Sequence, residues 1–181
     1  MAERSMNIAK TGVTTDTSRI IVRLIRESEY GVLPDFLYLA IFLAAGAEPP
    51  SRDIIKKPEF AIYIDSFGGE EDCGVVAELD GKIVGAAWTR IIPAYGHVNN
   101  ATPELAISVL SEFRNSGIGT QLMRRLFELL AERGYKQTSL AVQKESPAVR
   151  FYKRLGYESM SESKGEFIMV KSLAESAESI V

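Results

Sequence analysis

The residues Ser111-Glu112-Phe113-Arg114-Asn115-Ser116-Gly117-Ile118-Gly119-Thr120 constrain the fold more than any other stretch of the chain. They follow a strand-like run, 104–110, and open the clearest helix, 117–133. In that helix Ile118, Leu122, Leu126, Leu129 and Leu130 form one apolar stripe, and Gly134 stops it. A helix entered this way presents backbone N–H groups that have no helical acceptor. Gly117 and Gly119 omit side chains that would block approach to those amides. The helix dipole places partial positive charge there, and Arg114 adds a full one. The segment reads as an anion cradle for a phosphorylated ligand. A plain strand–loop–helix joint, with glycines only for turning, has the same pattern. A P-loop is excluded because no glycine precedes a Lys-Ser or Lys-Thr pair, and a dinucleotide fingerprint because Leu122 stands where its third glycine belongs.

The flanking sequence supplies a mixed set of elements. Residues 20–25, IIVRLI, read as a strand. Pro34-Asp35 opens an apolar helix over 35–45, closed by Gly46; Pro49-Pro50-Ser51 starts a second helix and Pro58 a third. In the third, Phe60, Tyr63, Ile64 and Phe67 share a face, and Gly68-Gly69 end it. The period then falls to two: 74–79 and 82–90 form a hairpin across Asp80-Gly81, a two-residue type I′ turn. A strand over 138–142, a helix over 147–155 ended by Gly156, and strands over 157–160 and 167–171 complete the chain. No repeat or linker interrupts them, so residues 19–173 read as one α/β domain with mixed connections. Residues 1–18, rich in Ser and Thr, read as a flexible extension and 174–181 as a polar tail.

Composition narrows the functions. With 181 residues, 46% of them hydrophobic, the chain can bury a core without disulfides or a structural metal. A net charge of −3 disfavours a general nucleic-acid or polybasic membrane binder. Cys73 has no partner for an intramolecular disulfide, and His97 as sole histidine leaves metal sites short of ligands, so no metal is expected. The apolar run 36–47 is too short to span a bilayer, and the first residues lack a signal-peptide core; the expectation is a cytoplasmic protein. That same run covers more than one helical face, which suggests a homodimer; a fully buried helix explains it equally.

A second segment changes the weight of the first. In Ser146-Pro147-Ala148-Val149-Arg150-Phe151-Tyr152-Lys153-Arg154-Leu155-Gly156-Tyr157, apolar residues recur with helical spacing, and Tyr152 alone reads as a core aromatic. Taken with the loop, however, the order is informative. Arg114-x-x-Gly117-x-Gly119 resembles the R/Q-x-x-G-x-G/A acyl-CoA loop of the GNAT superfamily of N-acetyltransferases. The later segment is similar to that superfamily's N-x-x-A-x-x-[FL]-Y-x-[KR]-x-G-[FY] motif, with Ser146 taken as standing for its Asn. The resemblance runs from about Gly74 to Tyr157, and 20–25 fits the usual first strand.

The resemblance implies an α/β (α+β) fold: a mixed, mostly antiparallel central sheet flanked by helices and splayed between the strands at 104–110 and 138–142. It implies acetyl-CoA as cosubstrate. The pantetheine arm would pair with backbone near Ile107 and Val109, and the phosphates would meet Arg114 and the amides of Asn115, Ser116, Gly117, Ile118, Gly119 and Thr120, with Ser146 also in contact. Tyr152 matches the motif tyrosine that protonates the departing thiolate. A backbone N–H near Val109 or Leu110 would hold the oxyanion. Glu104, at the start of the strand entering the splay, is the chosen base; a strand-end glutamate that merely pairs with solvent or a cation fits the position equally. His97 is the weaker base candidate, an exposed loop histidine being its simpler reading. Trp88 faces either the core or the acceptor pocket. Glu70-Glu71-Asp72 reads as a solvated loop, and Cys73 as a buried residue with a raised pKa. The implied activity is transfer of an acetyl group to a primary amine of a small molecule or peptide. The alternative is a non-catalytic acyl-CoA-binding regulatory module on the same fold.

Overall fold

The computed structural model describes residues 19–44, 46–163 and 165–173; the expectations for 1–18 and 174–181 lie outside the described residues. In chain order the elements are β1 (Ile21–Leu24), α1 (Leu33–Ala40), α2 (Pro58–Ala61), β2 (Cys73–Leu79), β3 (Lys82–Arg90), β4 (Glu104–Val109), α3 (Ile118–Glu132), β5 (Gln137–Gln143), α4 (Ala148–Arg154), β6 (Glu158–Glu162) and β7 (Glu166–Ser172). The strands form one seven-stranded sheet in the order β1-β2-β3-β4-β5-β7-β6. Every neighbouring pair is antiparallel except β4 and β5. The expected mixed, mostly antiparallel sheet flanked by helices is therefore present.

Local chemistry accounts for most boundaries. Asp80 and Gly81 both have positive φ, 51° and 81°, as the β2–β3 turn demands. Gly117 and Gly134 bracket α3 with φ of 85° and 83°, and the five stripe residues Ile118, Leu122, Leu126, Leu129 and Leu130 are all buried. The N-terminal helices are shorter than their composition suggests. Helix α1 stops at Ala40, where Ile41 turns extended (φ −66°, ψ 119°). The Tyr38 hydroxyl donates to Pro50 O at 2.7 Å, which holds the returning chain beside the helix. The segment after Ser51 is a 3-10 turn, Arg52–Lys56, and α2 is a single turn. The first follows Pro49-Pro50 and the second begins at Pro58; a proline starts a helix but brings no N–H to extend one backwards.

Two cores cover the two faces of the sheet. Val75, Ala77 and Ala87 pack with Leu122, Met123, Leu126 and Leu130 of α3, while Val76, Ala86 and Trp88 pack with Leu33, Phe36 and Leu37 of α1. Burial on both faces explains why β2 and β3 read as nearly continuous apolar runs. The ladders define where the sheet parts. Strand β4 stays paired with β3 from Glu104 to Val109, and β5 stays paired with β7 from Gln137 to Gln143. Between β4 and β5 the sole register pair is Glu104 with Ser139, secured by Ser139 N–H to Pro103 O at 3.0 Å. Past that point each strand follows its own half of the twisted sheet. The splay expected between 104–110 and 138–142 is this divergence.

Candidate active site

A cavity of about 290 Å³ occupies the parting of the strands. Leu105, Ala106 and Ile107 of β4 and Ala141, Val142 and Gln143 of β5 form its walls, with Ser146, Ala148 and Tyr152 at one side and Phe42, Phe60, Tyr63 and Tyr95 at the other. Ile41 and Phe42, just past α1, thus line the cavity, while Leu43 beyond them is exposed.

Glu104 lies at the vertex and is 2% exposed. Its Oε1 accepts from the Tyr63 hydroxyl and from Gly96 N–H, the latter at 2.7 Å. Its Oε2 is buried without a partner among the described residues. Burial raises the carboxyl above its ordinary range, while the Tyr63 and Gly96 hydrogen bonds pull it back. Of the two readings of Glu104, the solvated strand-end glutamate is ruled out by this burial. A desolvated carboxylate with one oxygen unpartnered lacks a hydrogen-bond donor that water would otherwise supply.

Sequence reasoning missed Glu104's two partners. Tyr63 was expected only as part of an apolar face; its phenol is raised by burial first and by the neighbouring Glu104 charge second. Trp88 Nε1 donates to Tyr63 O at 2.9 Å, so Trp88 faces the core and holds Tyr63 from behind. Gly96 is a packing necessity. A Cβ there would stand 2.7 Å from both Ala141 N and Leu140 C and 2.8 Å from Glu104 Oε1. The available signal was the Tyr95-Gly96-His97 loop itself, in which the glycine mattered more than the histidine. His97 is exposed, and its Nδ1 donates to Ile92 O at 2.9 Å.

The cofactor residues read from the loop fall along one edge. Leu110 N–H donates to Val84 O at 2.9 Å, so it is spent on β3 and cannot serve an oxyanion. By antiparallel alternation the backbone groups of Val109 and Ile107 point the other way, toward the open side of β4. Arg114 Nε donates to Val109 O at 3.1 Å, which leaves Val109 N–H and Ile107 facing that side and the two terminal guanidinium nitrogens uncommitted to Val109. Asn115 and Gly117 adopt positive φ, 60° and 85°, and turn the chain into α3. Gly117 is the N-cap with no side-chain acceptor, so the first amides of α3, Ile118, Gly119 and Thr120, are uncapped from within. Ser116 Oγ donates to Phe113 O and steadies the loop.

The two glycines differ in their reason. A Cβ at Gly117 meets nothing within 4 Å, so its requirement is backbone conformation; a Cβ at Gly119 would lie 3.3 Å from the Phe151 ring, so its requirement is the packing of α4 on α3. Ser146 is 8% exposed and lines the cavity, but its Oγ accepts from Ala148 N–H at 3.2 Å. Counted back from Tyr152, the motif's Asn falls on exposed Glu145, so Ser146 does not stand for it. Tyr152 is partly buried, packs edge-on against Tyr157 with centroids 5.7 Å apart, and borders the cavity. Burial pushes its hydroxyl up to about 12.

One expectation away from the cavity is corrected. Asp72 is not part of a solvated acidic loop: Arg90 Nε donates to its Oδ1 at 2.9 Å, and its Oδ2 accepts from Gly68 and Gly69 N–H. The same guanidinium donates to Ile62 O and Asp65 O, clamping the segment after α2 to β3. Cys73 is buried as expected, and its thiol is raised by burial first, the charge of the neighbouring Asp72 adding least. Among the described residues no helix is long and apolar enough to cross a membrane.

Comparison with known proteins agrees with this architecture. A model described as the acetyltransferase (GNAT) family matches residues 40–157. An uncharacterised N-acetyltransferase of Methanocaldococcus jannaschii is 35% identical over 106 residues, 58% of this chain and 47% of its own. An N-alpha-acetyltransferase of Sulfurisphaera tokodaii is 28% identical over 110 residues, 54% of this chain and 64% of its own. The matched region therefore spans less than two thirds of either relative. The ribosomal-protein-S18-alanine N-acetyltransferase of Escherichia coli superposes with a TM-score of 0.61 over 90% of this chain and 99% of that one, at 18% identity. The PaiA N-acetyltransferase of Thermoplasma acidophilum, solved in complex with coenzyme A, gives 0.62 over 84% and 98%, at 17% identity. At such identities the likeness is one of fold. Because the family model spans most of the domain, including the Arg114–Gly119 loop and the Tyr152 helix, the chain belongs to the GNAT family of acetyltransferases.

Proposed function

We propose that the chain transfers an acetyl group from acetyl-CoA to a primary amine. The observation that carries this reading is the buried Glu104, which lines the cavity between diverging strands together with Tyr152 and whose Oε2 has no partner among the described residues. Acetyl-CoA supplies the activated acyl group as a thioester. The residues that would hold it are Ile107 and Val109 on the open side of β4, and Arg114 with the amides from Asn115 to Thr120. The uncapped start of α3 favours phosphate there, because its N–H groups and dipole face outward together. Arg114 adds charge through its terminal nitrogens, since Nε is committed to Val109 O.

Glu104 accepts the proton of the incoming ammonium, directly or through water. Its raised pKa brings it nearer the working range of a general base, and Tyr63 and Gly96 orient it. Val109 N–H is the donor toward the developing oxyanion, now that Leu110 is excluded. Tyr152 stays protonated at neutral pH. A phenol near 12 facing a thiol of about 8.5 gives up its proton only uphill, so it acts by hydrogen bonding the departing thiolate. The test is release of free thiol from acetyl-CoA against a panel of primary amines, with calorimetry of acetyl-CoA binding. Amine-dependent thiol release that Glu104→Gln abolishes, with binding retained, supports the reading. Tight binding with no thiol release for any amine would favour the non-catalytic acyl-CoA-binding module.

A further inference from the structure

The charges of the cavity bear on which amine it takes. Glu104 and Glu166 are its charged lining residues; no lysine, arginine or histidine lines it among the described residues. The cations nearest in sequence are committed elsewhere. Lys144, next to Gln143, pairs with Glu162 at 2.9 Å and lies over the Phe167 ring; His97, next to Gly96, is exposed, outside the lining and bound to Ile92 O, although its charge reaches Glu104. Arg114 belongs to the phosphate end and is tied to Val109. Opposite the acyl-CoA side the wall is apolar and aromatic: Leu37, Phe42, Phe60 and Tyr95, with Phe60 and Tyr95 ring centroids 6.2 Å apart.

Resting on the acyl-transfer reading, we infer that the acceptor is a primary amine with an apolar substituent and no free carboxylate on the carbon that bears the nitrogen. An ammonium brings three N–H donors to a cavity lined by Glu104, whose Oε2 lacks a donor among the described residues. A free α-amino acid brings a carboxylate in the same step. With its nitrogen at Glu104, that carboxylate stands within a few ångströms of a buried like charge and meets no lysine, arginine or histidine in the lining. An amine without the acid group, or an amino group whose neighbouring carboxyl is an amide as at a peptide N-terminus, avoids the conflict. The aromatic wall accepts the apolar substituent in either case.

The experiment uses the full chain and a matched set: phenethylamine, L-phenylalaninamide and L-phenylalanine. It reads kcat/KM by thiol release from acetyl-CoA and, separately, affinity by calorimetry in the presence of coenzyme A. The amine and the amide should exceed the free acid about 100-fold or more, the size expected for an unscreened like charge at this range in a partly open site. Preference for the amide over phenethylamine assigns a peptide-like acceptor, and the reverse assigns a small amine. Glu166→Lys, which adds a cation to the lining, should narrow the gap to the free acid about tenfold, and Glu166→Gln should narrow it less. Turnover of the free acid within about tenfold of the amide overturns the inference. If no acceptor releases thiol although acetyl-CoA binds, the acyl-transfer reading fails and affinity alone decides. Amide binding at least tenfold tighter than acid then upholds the charge selection, and equal binding, or none by any of the three, overturns it.

Discussion

Replacing Gly96 by alanine tests the construction of the site with a single methyl group. Gly96 is buried and has no positive φ, so the backbone itself accepts alanine. Were there space, the change would stabilise the protein by about 0.4–1 kcal/mol through the unfolded chain. The structure reverses that sign. The methyl would lie 2.7 Å from Ala141 N and from Leu140 C, which are backbone atoms of a strand paired along its whole length, and 2.8 Å from Glu104 Oε1. None of these is the end of a flexible side chain able to swing away, so the loop must retreat. Overpacking of this kind costs about 1–3 kcal/mol. Retreat also stretches the 2.7 Å bond from Gly96 N–H to Glu104, one of two donors on a buried carboxylate, and weakening a bond to a charged group costs up to about 1.5–3 kcal/mol more. The net expectation is a loss of about 2–4 kcal/mol, or a fall in Tm of roughly 4–16 °C for a chain of this length. A second readout separates packing from chemistry. With one donor withdrawn, the Glu104 carboxyl rises further, and the acid limb of the kcat/KM profile moves to higher pH. Thermal and urea unfolding give the first number, and thiol-release kinetics across pH the second. Unchanged stability together with an unchanged pH profile would refute the reasoning.

Four further variants probe the same site. Tyr63→Phe keeps the ring beside Trp88 but removes the hydroxyl that stabilises the Glu104 carboxylate, so the acid limb of kcat/KM should also shift to higher pH; a fall in rate with no shift would make Tyr63 merely structural. Tyr152→Phe should lower turnover about 10²–10³-fold, the usual effect of deleting one donor aimed at developing charge, while acetyl-CoA affinity measured by calorimetry stays nearly constant; equal turnover, with chemistry rate-limiting, would withdraw its catalytic role. Gly117→Ala should cost about 1–2 kcal/mol of stability because its φ of 85° disfavours a Cβ that has open space around it, and acetyl-CoA should still bind. Gly117→Glu carries the same strain and in addition sets a carboxylate at the phosphate site, so it should abolish binding; calorimetry that shows undiminished affinity in the folded variant would remove the loop from the cofactor site.

Some of this protein was legible in the chain because its causes are local. Asp80-Gly81 dictates a type I′ turn wherever it joins two apolar runs, and the observed φ values of both residues are positive. The leucine stripe of α3 and the glycines at its ends need only their own neighbours to form a helix and stop it. The loop from Arg114 to Gly119 and the Tyr152 helix are likewise continuous segments, and the family model that matches the chain spans both.

What escaped sequence reasoning was joined across the sheet. Glu104 acquires its character from Tyr63, 41 residues away, and from Gly96. No periodicity announces that a phenol from one loop and an amide from another will converge on one carboxylate oxygen and leave the other bare. Asp72 carries the composition of a solvated loop, yet folding places it against Arg90 and turns it into a clamp. Helix α1 is apolar well past Ala40, but ends there because Ile41 and Phe42 are drawn to the cavity wall. Gly119 looked like room for a phosphate and serves also as room for Phe151. Hydrogen bonds between near neighbours are set by residue order alone, whereas burial, the loss of water around a charge, and the clash of one missing methyl are properties of what lies opposite in space.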